Sequence, residues 1–232
     1  MSGERRKPKG EDAGTVPLGT EDVISAGDFG TWLREMQGAI RGDQASDVPC
    51  GDCTGCCTSS QFVHIGPDEI DTLAHIPKAL LFPAPRPKGQ LLMGYDEHGR
   101  CPMLVGNQCS IYDHRPRTCR TYDCRIFPAS GVGLEGEPEK VRINDRVRRW
   151  RFDFATEDDR TTHQAIAASA SYLDQRRDEL PAGSVPRNAT QLAALAIELH
   201  ALFLDADLDA DVDPDVVVNP PLHLVKDVLD RR

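Results

Sequence analysis

The stretch Pro49-Cys-Gly-Asp-Cys-Thr-Gly-Cys-Cys57 places four cysteines within eight consecutive positions. Cys50, Cys53 and Cys56 stand at C-x2-C-x2-C spacing. Two cysteines separated by two residues in a tight turn can both put sulfur about 2.3 Å from one metal ion, and Gly51 and Asp52 suit such a turn. A third cysteine at the same interval continues the curl around a larger object, as in bacterial ferredoxins with their C-x2-C-x2-C-x3-C-P run. Here Cys57 follows Cys56 directly. Successive side chains diverge, so this pair is expected to serve different metals, or different corners of one cluster.

The chain has four more cysteines, Cys101, Cys109, Cys119 and Cys124, in CPMLVGNQCSIYDHRPRTCRTYDC. Cys101 precedes Pro102, the order that closes a ferredoxin cluster from a distance. None of these gaps is two residues, so this set relies on the fold to converge. All eight cysteines lie between residues 50 and 124. Eight thiolates suit two four-ligand sites holding zinc, iron–sulfur clusters or one of each; one cluster with spare structural thiols is also open. No apolar signal core opens the chain, and no run of about 18 apolar residues occurs in it. The expected compartment is therefore the cytoplasm, where clustered cysteines mean metal or redox chemistry and not disulfides.

Charge is uneven. The formal net charge of -10 argues against nucleic acid as the main partner. From Arg100 to Arg125, however, five arginines face two aspartates. A metal held by four thiolates is anionic, and Arg115, Arg117, Arg120 and Arg125 are placed to donate hydrogen bonds to it; a merely solvated arginine loop would read the same way. Only 39% of residues are hydrophobic and 6% aromatic, so the core is thin and metal is an expected staple.

At these residues the sequence resembles the YkgJ-type cysteine cluster family, the zinc- or iron-chelating CxxCxxCC domain. Cys50-Gly-Asp-Cys53-Thr-Gly-Cys56-Cys57 matches its first motif, and Cys101 through Cys124 its second, over about residues 48 to 128. The resemblance implies a small metal-binding domain with all eight cysteines as ligands, and it leaves zinc against iron open. The flagellin lysine N-methylases carry the same cysteine signature, but nothing here matches a separate methyltransferase domain.

The expected fold is α+β: a small, irregular, metal-stapled cysteine-cluster domain with short strands, flanked by helices. A disordered tail is expected over 1–22, the cysteine domain with its N-terminal helix over 23–128, and a strand plus helical extension over 129–232. Phe29, Trp32, Leu33, Met36 and Ile40 repeat at helical spacing behind Ser25 or Asp28 as cap. Strands are expected at 61–65, 90–95 and 150–154, and helices at 66–75, 157–179 and 189–204, the last opened by Asn188 and Gln191. Ser130-Gly-Val-Gly-Leu-Glu-Gly136 lacks the strand and helix that a dinucleotide site needs and is expected to be a loop. Asp205-Ala-Asp207-Leu-Asp209 lacks the later glycine and glutamate of a calcium loop. His98 and His114 are candidate substitutes for a cysteine ligand. The basic, aromatic-laced 146–154 stretch reads as a half-exposed strand more readily than as an RNA surface.

The leading expectation is an iron–sulfur protein, with one [4Fe–4S] cluster, serving electron transfer or a redox-linked role with a redox or protein partner. The rivals are a structural zinc adaptor and a protein-modifying enzyme. The sequence singles out no catalytic residue, and no membrane association is expected.

Overall fold

Asp28 shows how local chemistry sets the first elements. Its backbone is extended and its carboxylate accepts from Thr31 N at 2.9 Å, so it ends strand β1 (Ile24–Asp28) and caps helix α1 (Phe29–Arg41). The computed structural model describes residues 23–46, 48–85, 88–134, 138–204, 217 and 219–232. The expected 1–22 tail, the acidic 205–215 stretch and the end of the glycine-rich stretch at 135–136 lie outside those residues.

After the cysteine turn, β2 (Val63–Ile65) leads into α2 (Ile70–His75), and β3 (Leu81–Pro83) and β4 (Leu91–Met93) complete an antiparallel sheet in the order β2-β4-β3. Helix α2 starts later than residue 66. The buried Glu69 carboxylate accepts from Gly66 N at 2.8 Å and from Arg117 N, and so holds a turn where the helix was expected. A two-residue turn joins β5 (Leu104–Val105) to β6 (Gln108–Cys109), and Gly106 supplies the left-handed backbone it needs at φ 63°. Short helices α3 (Arg117–Thr121), α4 (Ile126–Ser130) and α5 (Val141–Val147) follow.

Strand β7 (Trp150–Asp153) returns to pair in parallel with β1, Ile24 opposite Trp150. Helix α6 (Glu157–Gln175) opens on a reciprocal cap between Thr156 and Asp159. Helix α7 (Ala189–Leu199) opens on Asn188, whose side chain accepts from Gln191 N, and α8 (Leu222–Leu229) closes the chain. Among the described residues, no helix is long and apolar enough to cross a membrane.

Three apolar clusters hold this α+β arrangement. The first joins Phe29, Trp32, Leu33 and Met36 of α1 to Ile126 and Phe127 of α4, Ile143 of α5, Ile166 of α6 and Ile197 of α7. Each such side chain, fully buried, contributes about 1.5–3 kcal/mol. A second packs Leu173 of α6 and Leu195 of α7 on Phe203 and Val225. A third, under the small sheet, comprises Val63, Ile65, Ile76, Met93, Met103 and Ile111, with Cys101, Cys109 and Cys119 packed against it. Three of the four late cysteines thus sit on the small-sheet core, whereas Cys124 packs on the helical core.

Candidate metal centre

The first motif is a turn followed by a 3-10 coil. Cys53 N donates to Cys50 O at 3.0 Å, and Gly51 at φ 56° allows the bend. Gly55 N then donates to Cys53 Sγ at 3.4 Å, and Gly55–Thr58 winds as a 3-10 turn. A Cβ on Gly55 would lie 3.3 Å from the backbone carbon and oxygen of Arg142, because α5 packs directly on this turn. The tight winding brings Cys56 Sγ and Cys57 Sγ to 3.9 Å, closer than the divergence of consecutive side chains implied.

Two backbone bonds and one side-chain bond carry the second motif to the first. Cys101 N donates to Cys57 O at 2.8 Å, Ser60 N to Gly99 O at 2.9 Å and Asn107 Nδ2 to Asp52 O at 3.3 Å. All eight cysteines are free thiols. The late motif splits. Cys101, Cys109 and Cys119 share the small-sheet core, and the Cys119 thiol is within electrostatic reach of Cys56, Cys101 and Cys109. Cys124 instead interacts with Cys50 and Cys53 and accepts from Trp150 Nε1 at 3.2 Å.

This crowding resists ionisation. Cys50 lies at the surface, yet the protein packed behind its sulfur pushes the thiol up to about 11, with Cys56 and Cys53 adding repulsion. Burial first, then the neighbouring cysteines Cys56, Cys101 and Cys109, push Cys119 up to about 12. Burial likewise pushes Cys124 up to about 12 against the opposing Trp150 hydrogen bond, and it raises Cys101. The Cys56 thiol is raised chiefly by its contact with Cys57 and then by burial. A bound cation reverses this balance, since it stabilises the thiolates that repel one another.

The surroundings fit an anionic, thiolate-ligated metal. Arg146 Nη2 donates to Pro49 O at 2.9 Å and Cys50 O at 3.3 Å, and its guanidinium lies 4.6 Å from the Trp150 ring centre. Its Nε is buried and has no acceptor among the described residues, while its charge favours the Cys50 thiolate. An orphaned guanidinium N–H beside a cysteine is the complement of a negatively charged sulfur site. The sulfurs are spread. A tetrahedral zinc with Zn–S of about 2.3 Å requires sulfurs about 3.8 Å apart. Among the described residues, no three cysteine sulfurs lie within 4.8 Å of one another.

The arginines singled out from the sequence have different surroundings. Arg115 donates from Nε to Tyr112 O at 2.8 Å, stacks on that ring, and its charge favours the Cys119 thiolate. Arg117 pairs with Asp68, and Arg120 stands 3.9 Å from Glu69. Arg125 is buried against Asp123. His98 pairs with Glu97 and His114 with Asp71. Sequence reasoning missed Gly55, Asp123, Arg146 and Trp150 as parts of the site. Trp150 was legible only as a core position of an alternating strand.

The fold and these residues define a metal-binding cysteine domain. Residues 49–147 match the model of the CxxCxxCC family, described as "Putative zinc- or iron-chelating domain", in agreement with the YkgJ-type resemblance of the sequence. The match runs through α5 and so includes Arg146. No curated protein and no solved structure matches the chain.

Proposed function

We propose that the chain is a cytoplasmic iron–sulfur protein that exchanges electrons with a protein or small-molecule redox partner. In this reading Cys50, Cys53 and Cys124 form one thiolate set and Cys101, Cys109 and Cys119 the other. Cys56 and Cys57 lie between the sets and supply one ligand to each. At least one set holds a [4Fe–4S] cluster, which, when bound, accepts and releases single electrons. The observation that carries the proposal is the sulfur spacing: both motifs converge, yet too widely for three thiolates to share one tetrahedral ion. The chain's own donors suit the same reading. Trp150 Nε1 on Cys124 and Gly55 N on Cys53 withdraw charge from sulfur and raise the potential of a site held there. Arg146 and Arg115 flank the two sets with positive charge.

A structural zinc module is the second reading. The 3.9 Å separation of Cys56 and Cys57 favours it, since two sulfurs on one tetrahedral zinc stand about that far apart. Anaerobic purification with a visible spectrum and elemental analysis separates the two. A broad band near ~400 nm with several irons per chain, as cysteine-ligated clusters give, supports the iron reading. Colourless protein with stoichiometric zinc overturns it. The division of ligands is read from Cys124→Ser, which should lose only part of the bound metal. Complete loss, or none, would refute the division.

A further inference from the structure

Between α2 and the 3-10 turn Tyr112–His114, in a group that includes no cysteine, Asp71, His75 and His114 meet. Asp71 and His75 are one turn apart on α2, so the helix itself brings their side chains to the same face. His114 comes from 43 residues further along, in the 3-10 turn Tyr112–His114. Its Nδ1 stands 2.7 Å from Asp71 Oδ2, and His75 Nδ1 stands 3.8 Å from Asp71 Oδ1. The two imidazoles stack with centroids 3.5 Å apart and planes inclined by 7°. His114 Nδ1 thus meets the carboxylate directly, while His75 Nδ1 stands near its other oxygen and bonds the Asp71 backbone carbonyl at 2.8 Å. Among the described residues, this is the one group of three histidine, cysteine or acidic side chains whose donor atoms all lie within 4.8 Å of one another.

We infer that Asp71, His75 and His114 form a second metal site, separate from the cysteines, for a divalent ion of the zinc, nickel or cobalt type. Two imidazole nitrogens and one carboxylate oxygen are a donor set of borderline softness. It suits those ions, whereas calcium and magnesium prefer an all-oxygen shell and copper(I) or an iron–sulfur cluster prefers thiolate. The donors need little movement. A tetrahedral ion with ligand distances of about 2.0–2.2 Å sets its donors about 3.3–3.6 Å apart, so the exposed rings have only to tilt out of their stack and turn their nitrogens toward one point. The side chains of His75 and His114 are 41% and 38% exposed and that of Asp71 is 71% exposed, so water completes the shell and the ion exchanges freely.

The proton arrangement is compatible. His75 Nδ1 now lies 2.8 Å from Asp71 O and His114 Nδ1 meets the carboxylate. A neutral imidazole frees Nδ1 by carrying its proton on Nε2, so an ion can take the place of those hydrogen bonds without net deprotonation. The nearby cation, Arg120, is drawn toward Glu69 at 3.9 Å. An ion here would clamp the Cys109–Cys119 connection, which carries His114, to α2. It would stiffen the approach of Cys119 to its site without being a ligand of that site.

The test uses full-length protein with its cysteine-bound metal in place, titrated anaerobically with Zn²⁺ by calorimetry, with histidine ring resonances followed by NMR. Wild type and His98→Ala should take up one more equivalent than the double variant His75→Ala/His114→Ala, with shifts confined to His75 and His114. Asp71→Asn should weaken that uptake by at least about tenfold. It serves as the decisive variant if the double substitution does not fold. Equal uptake by wild type and the double variant, undiminished uptake by Asp71→Asn, or loss of the extra equivalent in His98→Ala would overturn the site.

Discussion

Asp123, one residue before Cys124, is a buried carboxylate shared by several donors. Its side chain is fully buried and accepts from Trp32 Nε1 at 2.9 Å, Ser46 Oγ at 2.8 Å, and Arg125 N and Nη2 at 2.8 Å each. It thereby fastens α1 and the segment before the first cysteine motif to the last cysteine. Arg125, whose side chain is 7% exposed, also donates to Ala26 O at 3.1 Å. Asp123→Ala takes the carboxylate from a buried guanidinium, and breaking a buried pair from one side costs about 3–5 kcal/mol. That is a large share of a total stability of about 5–15 kcal/mol. Arg125→Met alone should cost a similar amount, because it strands the carboxylate. The double variant removes both charges, and it should be less destabilised than the sum of the single variants by at least about 2 kcal/mol. Urea unfolding followed by tryptophan fluorescence, at matched metal content, measures all three. Additivity within about 0.5 kcal/mol, or a loss under about 1 kcal/mol for Asp123→Ala, would refute the argument.

Gly55→Ala should push α5 off the cysteine turn, since its Cβ would meet the Arg142 backbone at 3.3 Å; a loss of about 1–3 kcal/mol and lower metal retention are expected by urea unfolding and elemental analysis. Trp150→Phe keeps an aromatic ring but deletes the donor to Cys124; under the iron–sulfur proposal the centre should stay loaded with its reduction potential lowered, as read by voltammetry. His163 packs edge-on to Phe29 and its ring nitrogen stands 3.2 Å from Pro128 O. Burial, only partly opposed by that carbonyl, holds its pKa below the ordinary 6.5. The unfolded chain therefore binds the proton first, and stability is fully present above pH 6.5 and falls as pH drops below it. His163→Gln should flatten that acid-side fall in urea midpoints; an unchanged slope would count against it.

The elements legible in the sequence were those whose signal is local. Phe29, Trp32, Leu33 and Met36 at helical spacing, with the Asp28 cap, gave α1, and the period-2 pattern of Trp150 and Phe152 gave β7. Strand β1 was hidden because Ser25, Ala26 and Gly27 have no apolar alternation; it forms by pairing with a strand more than a hundred residues away. Helix α5 was hidden because Val141-Arg-Ile-Asn-Asp-Arg-Val places one buried side chain, Ile143, among charges. For the site, the cysteines were legible by spacing alone, but their neighbours were not. Which arginine turns toward sulfur depends on where Asp68, Glu69 and Asp123 stand, and that is a tertiary fact. Arg146 was visible only as one charge in a basic run.

The parallel pairing of Ile24 with Trp150 bears on how the protein is made. When a ribosome has delivered the last cysteine, neither the helix that carries Arg146 nor the indole that contacts Cys124 has yet emerged. The thiols therefore wait, exposed and incompletely enclosed, until synthesis has passed the aromatic strand. A fragment trimmed to the family match, ending at residue 147, would keep Arg146 but lack the indole, and so would leave Cys124 without that donor.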